Sequence, residues 1–495
     1  MKRLIDSVLN TVTMYHVVVA GLVTMSVVAL VLMSTGTLGY SPLTFIISII
    51  LSVGTALASN KLFGWLFGVR VHSESATITG LIIALVFTPP ATFVIALKLI
   101  LVVMIAMASK YVITIRNKHV FNAAAFGIVT GSVSGLAYAT WWIATPAMIP
   151  ITLLVAVAIL YKTKRLQMGS LFVAVSVGLL GIQAAFDGSI SIDTFVSAIT
   201  SWPLLFVAGV MLSEPLTLPP RRKQQLAVAA LVGALSVSAI HIGPVLMTPA
   251  LALIAGNVLA FYWSTRGSIK LRFAGKKQMG KSYYDLQFDV SRLPFVPGQY
   301  VELTLPHAHA DVRGQRRVFT IVGKPGDDQI SIGIRLPETT SSFKKALIGL
   351  KPGDVVYGVR IAGDFVLPDD PDTPIVCIAG GIGITPFMSF LMSVDRPITI
   401  IYAVRSIDDV AYLQQLRHYN ATVTIVSSDG DGTLADDSWK HRTGELSRAV
   451  LADSIPVADQ PHVYISGPPA MVSSTKKQVK SLGIRTVRTD HFTGY

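Results

Sequence analysis

Residues 374–387 read Pro374-Ile-Val-Cys-Ile-Ala-Gly-Gly-Ile-Gly-Ile-Thr-Pro-Phe387, an apolar run that passes directly into a glycine-rich turn. The run is short and apolar, and a turn bounds it, which is typical of a buried strand. Glycines have no side chains that would keep a phosphate away from the backbone, and a following helix would present its amides to that phosphate. The stretch therefore predicts a strand–turn–helix unit that binds a dinucleotide. The predicted nucleotide contacts are Gly380, Gly381, Gly383, Thr385 and Pro386.

The pattern around this unit predicts two lobes. Strand-like runs at 375–379, 398–403, 422–426 and 462–465 alternate with helix-like segments, which indicates a parallel, doubly wound α/β sheet. Earlier, short alternating runs are separated by Pro-Gly turns, as in a small antiparallel β-barrel. We expect the barrel over residues 266–370 and the α/β domain over residues 371–495.

Three motifs in order resemble the ferredoxin–NADP reductase superfamily along the whole C-terminal part: Arg317-Val-Phe-Thr320, the glycine turn, and Ser466-Gly-Pro-Pro-Ala-Met471. The resemblance implies FAD in the barrel and NAD(P)H in the α/β domain. Arg317 would pair with the FAD pyrophosphate, Phe319 would pack on the flavin, and Thr320 would donate a hydrogen bond near N5. Thr320 and Ser466 are the predicted catalytic residues.

The same resemblance places further residues around the two cofactors. Ser466 stands where the family commonly has cysteine beside the nicotinamide, so slower hydride transfer is expected. Arg405 follows the second α/β strand with acidic neighbours, a combination that leaves NADH and NADPH both open. The additional predicted FAD contacts are Ser341, Ser342, Phe492 and Tyr495, and the additional NAD(P) contacts are Arg405, Gly467, Pro468 and Met471.

The first half of the chain has the composition of a membrane protein. Mean hydropathy is +0.59 over 495 residues, and residues 1–266 carry only 15 Lys and Arg and 5 Asp and Glu. Ten apolar runs can be counted, and every second connection lacks Lys and Arg. This asymmetry follows the positive-inside rule and predicts an all-α bundle of about ten transmembrane helices over residues 1–265, with both termini and the reductase cytoplasmic.

Several runs are too short or too broken to be ordinary spans. The run at 76–88 ends at Pro89-Pro90, and the run at 120–138 contains four glycine or asparagine residues. Similar breaks recur five runs later, and an odd number of spans per half requires inverted repeats with half-helix ends near the midplane. Small residues that merely permit tight helix packing are the alternative explanation.

Three segments resemble the flavin-carrying membrane components of the Rnf complex and of sodium-pumping NADH:quinone reductase. They are 79–90, 118–127 and 209–215. The resemblance implies ten helices in inverted repeats and an FMN. The family's Ser-Gly-Ala-Thr attachment motif is absent, so we expect FMN to be held non-covalently. The predicted contacts of this membrane flavin are Thr79, Lys98, Asn122 and Asn257.

Other redox groups are excluded by counting ligands. Haem needs paired axial histidines, but His16, His72, His119 and His241 lie at the ends of separate runs. An iron–sulfur cluster needs about four thiolates, and Cys377 is the single cysteine. We therefore expect no haem, no iron–sulfur cluster and no other metal site.

These features predict a membrane-bound flavoprotein oxidoreductase. Electrons would pass from cytoplasmic NAD(P)H through FAD to a flavin or quinone in the membrane domain, with the lipid bilayer and no nucleic acid as partner. The alternative from another class is an inverted-repeat transporter or channel that is regulated by a redox-sensing NAD(P)H/FAD domain.

Overall fold

The computed structural model describes residues 12–491 except 70, 116–117, 201, 265–268, 308–314, 338–339, 430–438 and 457–459. Contacts between Cα atoms divide the chain into two compact units, Met1–Gly267 and Ser268–Tyr495. The boundary between the two lobes of the second unit, at 370/371, stays a prediction.

The N-terminal unit is helical. Its longer helices are Met14–Ser34, Pro42–Leu66, Ser73–Val86, Phe93–Val112, Ala123–Val133, Ile149–Lys162, Leu166–Phe186, Ile192–Thr200, Arg222–Ser236 and Pro249–Trp263. A short helix, Leu204–Phe206, continues into a π-helical turn, Val207–Met211. Two small hairpins pair Thr114–Ile115 with Lys118–His119 and His241–Ile242 with Val245–Leu246.

Four helices of this unit are long and apolar enough to cross a membrane: Met14–Ser34, Pro42–Leu66, Phe93–Val112 and Leu166–Phe186. Each of the ten predicted runs contains helix, but the others fall short of the roughly 20 residues that a span needs. Among the described residues the prediction of ten transmembrane helices is therefore not supported, because the remaining helices are shorter than a span. What is established is a helical region with four membrane-length apolar helices, which suggests membrane anchoring.

At the end of the helix Ser73–Val86, backbone carbonyls that have no partner within the helix accept hydrogen bonds from another segment. The helix stops at Phe87, in extended conformation, ahead of two prolines that cannot donate a backbone hydrogen bond. The backbone amides of Thr140 and Trp141 donate to the carbonyl of Val86. The indole of Trp142 donates to the carbonyl of Phe87 at 3.0 Å. The segment after residue 138 thus replaces the missing turn, as buried non-helical backbone in an apolar surrounding requires.

The first lobe of the C-terminal unit is a six-stranded antiparallel sheet. Its strands are β1 (Ile269–Gln278), β2 (Tyr283–Asp289), β3 (Tyr300–Thr304), β4 (Arg316–Thr320), β5 (Gln329–Arg335) and β6 (Val355–Ala362), in the spatial order β4-β3-β6-β1-β2-β5. A bridge between Val322 and Ser331 brings the end strands together. The predicted antiparallel lobe is confirmed.

The second lobe is a six-stranded parallel sheet. Its strands are β7 (Ile375–Gly380), β8 (Ile398–Val404), β9 (Ala421–Ser427), β10 (Lys440–Thr443), β11 (His462–Gly467) and β12 (Val487–His491), in the order β10-β9-β8-β7-β11-β12. All residues of β7 are buried, including Cys377. The strand order changes direction at β7, so a crevice opens beside its carboxyl end, and there the glycine turn lies. The parallel α/β prediction is confirmed.

Candidate functional site

The predicted FAD residues of β4 lie on one face of the strand. Arg317 and Phe319 are both 8% exposed, whereas Val318 between them is 54% exposed. The guanidinium carbon of Arg317 lies 5.3 Å from the centre of the Phe343 ring. Phe319 stacks on the same ring at 5.9 Å between centroids. A strongly buried cation beside two stacked rings suits an anionic linker that ends in a flat ring system.

The helix Ser342–Ile348 brings the next two predicted contacts to this cluster. The hydroxyl of Ser341 caps it by accepting from the amide of Lys344 at 3.4 Å. The hydroxyl of Ser342 lies 3.0 Å from the imidazole Nε2 of His307, which sequence analysis did not single out. Thr320 is buried and pairs through its backbone with Tyr300 of β3. Phe492 and Tyr495 lie outside the described residues.

The glycine turn is shaped by a close approach to β11. A methyl group on Gly383 would lie 2.6 Å from the carbonyl carbon of Ser466, so only glycine fits without displacing backbone. Gly381 has a φ of +54°, in the left-handed region that glycine adopts without strain. A methyl group on Gly380 would lie 2.6 Å from the sulfur of Met471, which follows Gly467 and Pro468. The turn and the end of β11 therefore pack directly against each other.

Ser466 is a buried polar residue where the end of β11 meets the glycine turn. The residue is fully buried, and its hydroxyl has no hydrogen-bond partner among the described residues. A buried polar atom without a partner costs free energy, which a ligand that accepts or donates a hydrogen bond recovers. The Ser466 hydroxyl is therefore a candidate contact for a polar substituent of a bound nucleotide.

The helix after the turn connects the two lobes. Thr385 is 1% exposed and donates to the carbonyl of Ile382 at 3.1 Å, and Pro386 follows it in the first helical turn. A methyl group on Gly333 of β5 would lie 2.5 Å from the Thr385 methyl carbon. The barrel and the nucleotide turn are thus in direct van der Waals contact, as transfer of hydride between two cofactors requires.

A buried polar pair at this junction was missed by sequence analysis. The hydroxyl of Tyr412 donates to Oδ1 of Asp285 at 2.6 Å across the two lobes. Burial raises the pKa of Asp285, and the hydrogen bonds from Tyr412 and Ser331 oppose that shift. The sequence does show that Asp285 is a charged residue within the strand β2, which indicates that it needs a polar partner. It does not show which residue that partner is, because Tyr412 is 127 positions away.

Removing this hydrogen bond in Tyr412→Phe should destabilise the protein by about 1.5 to 3 kcal/mol, because a buried carboxylate loses one of its two donors. Since the folded-state pKa of Asp285 rises further in the variant, the loss is largest at neutral pH. It should shrink as the pH falls through the Asp285 pKa. Thermal release of flavin fluorescence measures the loss. Tyr357→Phe is the control because Tyr357 is 50% exposed; equal loss in both variants, or none, would contradict the prediction.

The segment after β8 lies at the carboxyl end of an interior strand of the parallel sheet. Arg405 is exposed, and its carbonyl accepts from the amide of Asp429 at 2.8 Å. The hydroxyl of Ser406 accepts from the amide of Asp408 at 3.4 Å and so caps the next turn. Arg405 is the cation of this segment, and Asp408 and Asp409 are the acids beside it.

In the N-terminal unit the structure gathers three of the four predicted membrane-flavin residues. The backbone amide of Asn122 donates to Oδ1 of Asn257 at 2.8 Å, and the side chain of Asn122 caps the helix Ala123–Val133. Thr79 and Asn122 line the same cavity. Lys98 is not part of that lining in the described chain.

The cavity is too small for the predicted FMN. Its volume is about 50 Å³, which holds a few water molecules, each needing at least about 10–15 Å³ of such volume. An isoalloxazine ring system is several times larger than this space. The cavity that Thr79 and Asn122 line is by itself too small for FMN, and the predicted site at Thr79, Lys98, Asn122 and Asn257 stays a prediction.

Charged residues that sequence analysis passed over lie at this cavity instead. The ammonium group of Lys110 donates to the hydroxyls of Ser75 and Thr79, both at 2.9 Å. The amide of Asn122 donates to Oε2 of Glu214 at 2.8 Å. Lys110 and Glu214 each stand near the end of an apolar run, where sequence alone assigns them to the membrane surface.

Comparisons with known proteins agree with this description of the C-terminal unit. Residues 377–477 match the family model for the oxidoreductase NAD-binding domain. The chain is 28% identical over 247 residues to flavohemoprotein B of Dictyostelium discoideum, covering 44% of this chain and 56% of that protein. It is 25% identical over 197 residues to NADH oxidoreductase HCR of Escherichia coli K12, covering 39% and 57%. The chain thus spans slightly more than half the length of these curated relatives.

Two solved structures align with part of the chain. The flavohem-like FAD/NAD-binding domain of nitric oxide dioxygenase from Vibrio cholerae aligns with a TM-score of 0.39 and 19% identity, covering 45% of this chain and 98% of that one. Ferredoxin–NADP⁺ reductase from Plasmodium falciparum aligns with a TM-score of 0.38 and 19% identity, covering 46% and 96%.

The C-terminal unit is accordingly similar to FAD- and NAD(P)-binding oxidoreductases, and its residues 377–477 match the oxidoreductase NAD-binding domain. Within the chain, this domain follows a helical region that has four membrane-length apolar helices.

Proposed function

We propose that this protein is a membrane-bound oxidoreductase that passes electrons from NAD(P)H through FAD to a quinone at its helical unit. The observation that carries the proposal is the union, in one chain, of a two-lobed reductase with helices of membrane length. A reductase that served only soluble acceptors would have no use for these helices. The positive-inside pattern would hold both termini and the reductase on the cytoplasmic side.

The residues of the reductase unit have separable tasks. Arg317 would pair with the FAD pyrophosphate, and Phe319 and Phe343 would hold the flat part of the cofactor. The glycine turn would admit the nucleotide pyrophosphate, and Ser466 would hydrogen-bond the nicotinamide end. Bound FAD accepts hydride from the nicotinamide and releases electrons one at a time. Buried side chains around the lobe junction exclude water from this transfer.

A quinone is the acceptor that the chain fits better than a second flavin. The described cavity of the helical unit does not hold FMN, so no transfer is assigned to it. A quinone is dissolved in the membrane and accepts electrons there. It therefore needs no permanent pocket of the kind that holds a bound cofactor. The broken helices around this cavity favour one alternative function, that of a transporter whose gate responds to the redox domain.

The test compares two acceptors in detergent-purified protein. We expect one acid-extractable FAD and no FMN per chain, with NAD(P)H oxidation supported both by ferricyanide and by a water-soluble quinone. Retained ferricyanide reduction without quinone reduction would overturn the quinone proposal and favour the transporter. One FMN per chain would contradict the size argument.

A further inference from the structure

A carboxylate lines the small cavity of the N-terminal unit, at a break in the helical backbone. Glu214 follows the π-helical turn Val207–Met211 and precedes Pro215. Its Oε2 accepts from the Asn122 amide at 2.8 Å, and its Oε1 lies 3.8 Å from Nε2 of His119. The side chains of Glu214 and His119 are 23% and 17% exposed. A carboxylate and an imidazole therefore face each other in a largely enclosed space.

A cation beside this cavity is Lys110 of the helix Phe93–Val112. It contacts the helix Ser73–Val86, which forms one wall of the cavity. The ammonium group of Lys110 makes three hydrogen bonds, to the hydroxyls of Ser75 and Thr79 and to the carbonyl of Ser75 at 3.1 Å. All three of its donors are thus used. Ser75 and Thr79 line the same cavity as Glu214, and the charges of Lys110 and Glu214 interact.

The composition of this cavity indicates a proton rather than a larger ligand. Ionisable groups among apolar helices are costly, so their presence is a functional indication by default. The volume of about 50 Å³ admits water and little else. Water connects such groups by hydrogen bonds, and carboxylate and imidazole side chains are among those that transfer protons in enzymes.

We infer that Glu214 is a proton-binding residue that supplies a proton to the acceptor reduced at the helical unit. The inference rests on the proposed function. In the overall reaction, NAD(P)H, a quinone and one proton give NAD(P)⁺ and a quinol. The hydride provides two electrons and one proton, and the remaining proton comes from water through Glu214. The groups that face Glu214 are His119, Asn122, Lys110 and Thr217, while Arg165 binds the neighbouring carbonyl of Ser213.

The test is Glu214→Gln in the full chain, because glutamine keeps the size and an acceptor for Asn122 but binds no proton. Turnover with a water-soluble quinone should fall about 100-fold, as loss of a positioned proton donor does. Ferricyanide turnover, which requires no proton, should stay unchanged. The ratio of the two turnovers should vary with pH in the wild type and be flat in the variant.

Two further variants separate proton transfer from structure. Glu74→Gln is the matched control, since Glu74 lies in the first turn of the helix that carries Ser75 and its side chain is 41% exposed. Glu214→Asp restores a carboxylate and should recover much of the quinone turnover. If Glu214→Gln keeps wild-type quinone turnover, or if Glu214→Asp loses as much as Glu214→Gln, the inference is overturned. Wild-type protein that reduces no quinone would instead overturn the proposed function on which it rests.

Discussion

Arg317→Ala should yield a protein that is purified without FAD. The guanidinium is 8% exposed and is the buried cation of its cluster. Truncating one member of a buried charge pair costs about 2–5 kcal/mol, which corresponds to roughly 30-fold to several thousand-fold weaker FAD binding. Acid-extracted FAD per chain and ferricyanide turnover measure the effect, and both should fall together.

The control for this prediction is Arg448→Ala, an exposed arginine in the first turn of the helix Arg448–Ser454. It should retain one FAD. Arg317→Lys should bind FAD more weakly than the wild type, because an ammonium group lacks the planar fork of a guanidinium. Stoichiometric FAD in Arg317→Ala would refute the assignment of this residue to the pyrophosphate.

Gly383→Ala should impair nucleotide oxidation while FAD remains bound. The added methyl group would lie 2.6 Å from the Ser466 carbonyl carbon and 2.8 Å from the amide nitrogen of Gly467, so the turn must move away from β11. Such overpacking typically costs about 1–3 kcal/mol, equivalent to about 5- to 150-fold in nucleotide affinity. The KM for NAD(P)H in the ferricyanide assay is the measurement.

Gly275→Ala in β1 serves as the matched control. A methyl group there meets nothing within 4 Å, and the backbone has no left-handed strain. Its KM should equal that of the wild type. Unchanged nucleotide kinetics in Gly383→Ala would show that the glycine turn does not hold the nucleotide, whereas loss of FAD would indicate general damage to the unit.

Motifs that act through local backbone geometry could be predicted from the sequence. The strand β7 and the turn at Gly381 follow from an apolar run that ends in glycines, because the need for a left-handed φ is a local property. The placement of Arg317 and Phe319 on one face follows from the period of two in a strand. The parallel pairing of the strands in the second sheet also follows from the expected alternation of strand and helix.

Long-range contacts could not be predicted in this way. Tyr412 and Asp285 form the lobe contact, but nothing local to either residue names the other. Lys110 meets Ser75 and Thr79 across 31 to 35 positions. Ten apolar runs implied ten spans, yet most of the described helices are shorter than a span, and apolar composition alone does not record where a helix ends.

The sequence by itself determined the type of each domain, the glycine turn, and the cation on β4. These depend on residue order over a few positions, where side-chain size and backbone freedom decide the conformation. Only the tertiary structure decided that the membrane-unit residues enclose a cavity too small for FMN. It also decided that His119 and Lys110 interact with Glu214, which lines that cavity. The distance between packed helices, and therefore the volume between them, depends on close contacts such as that of Gly209 with Ala156, which no local pattern encodes.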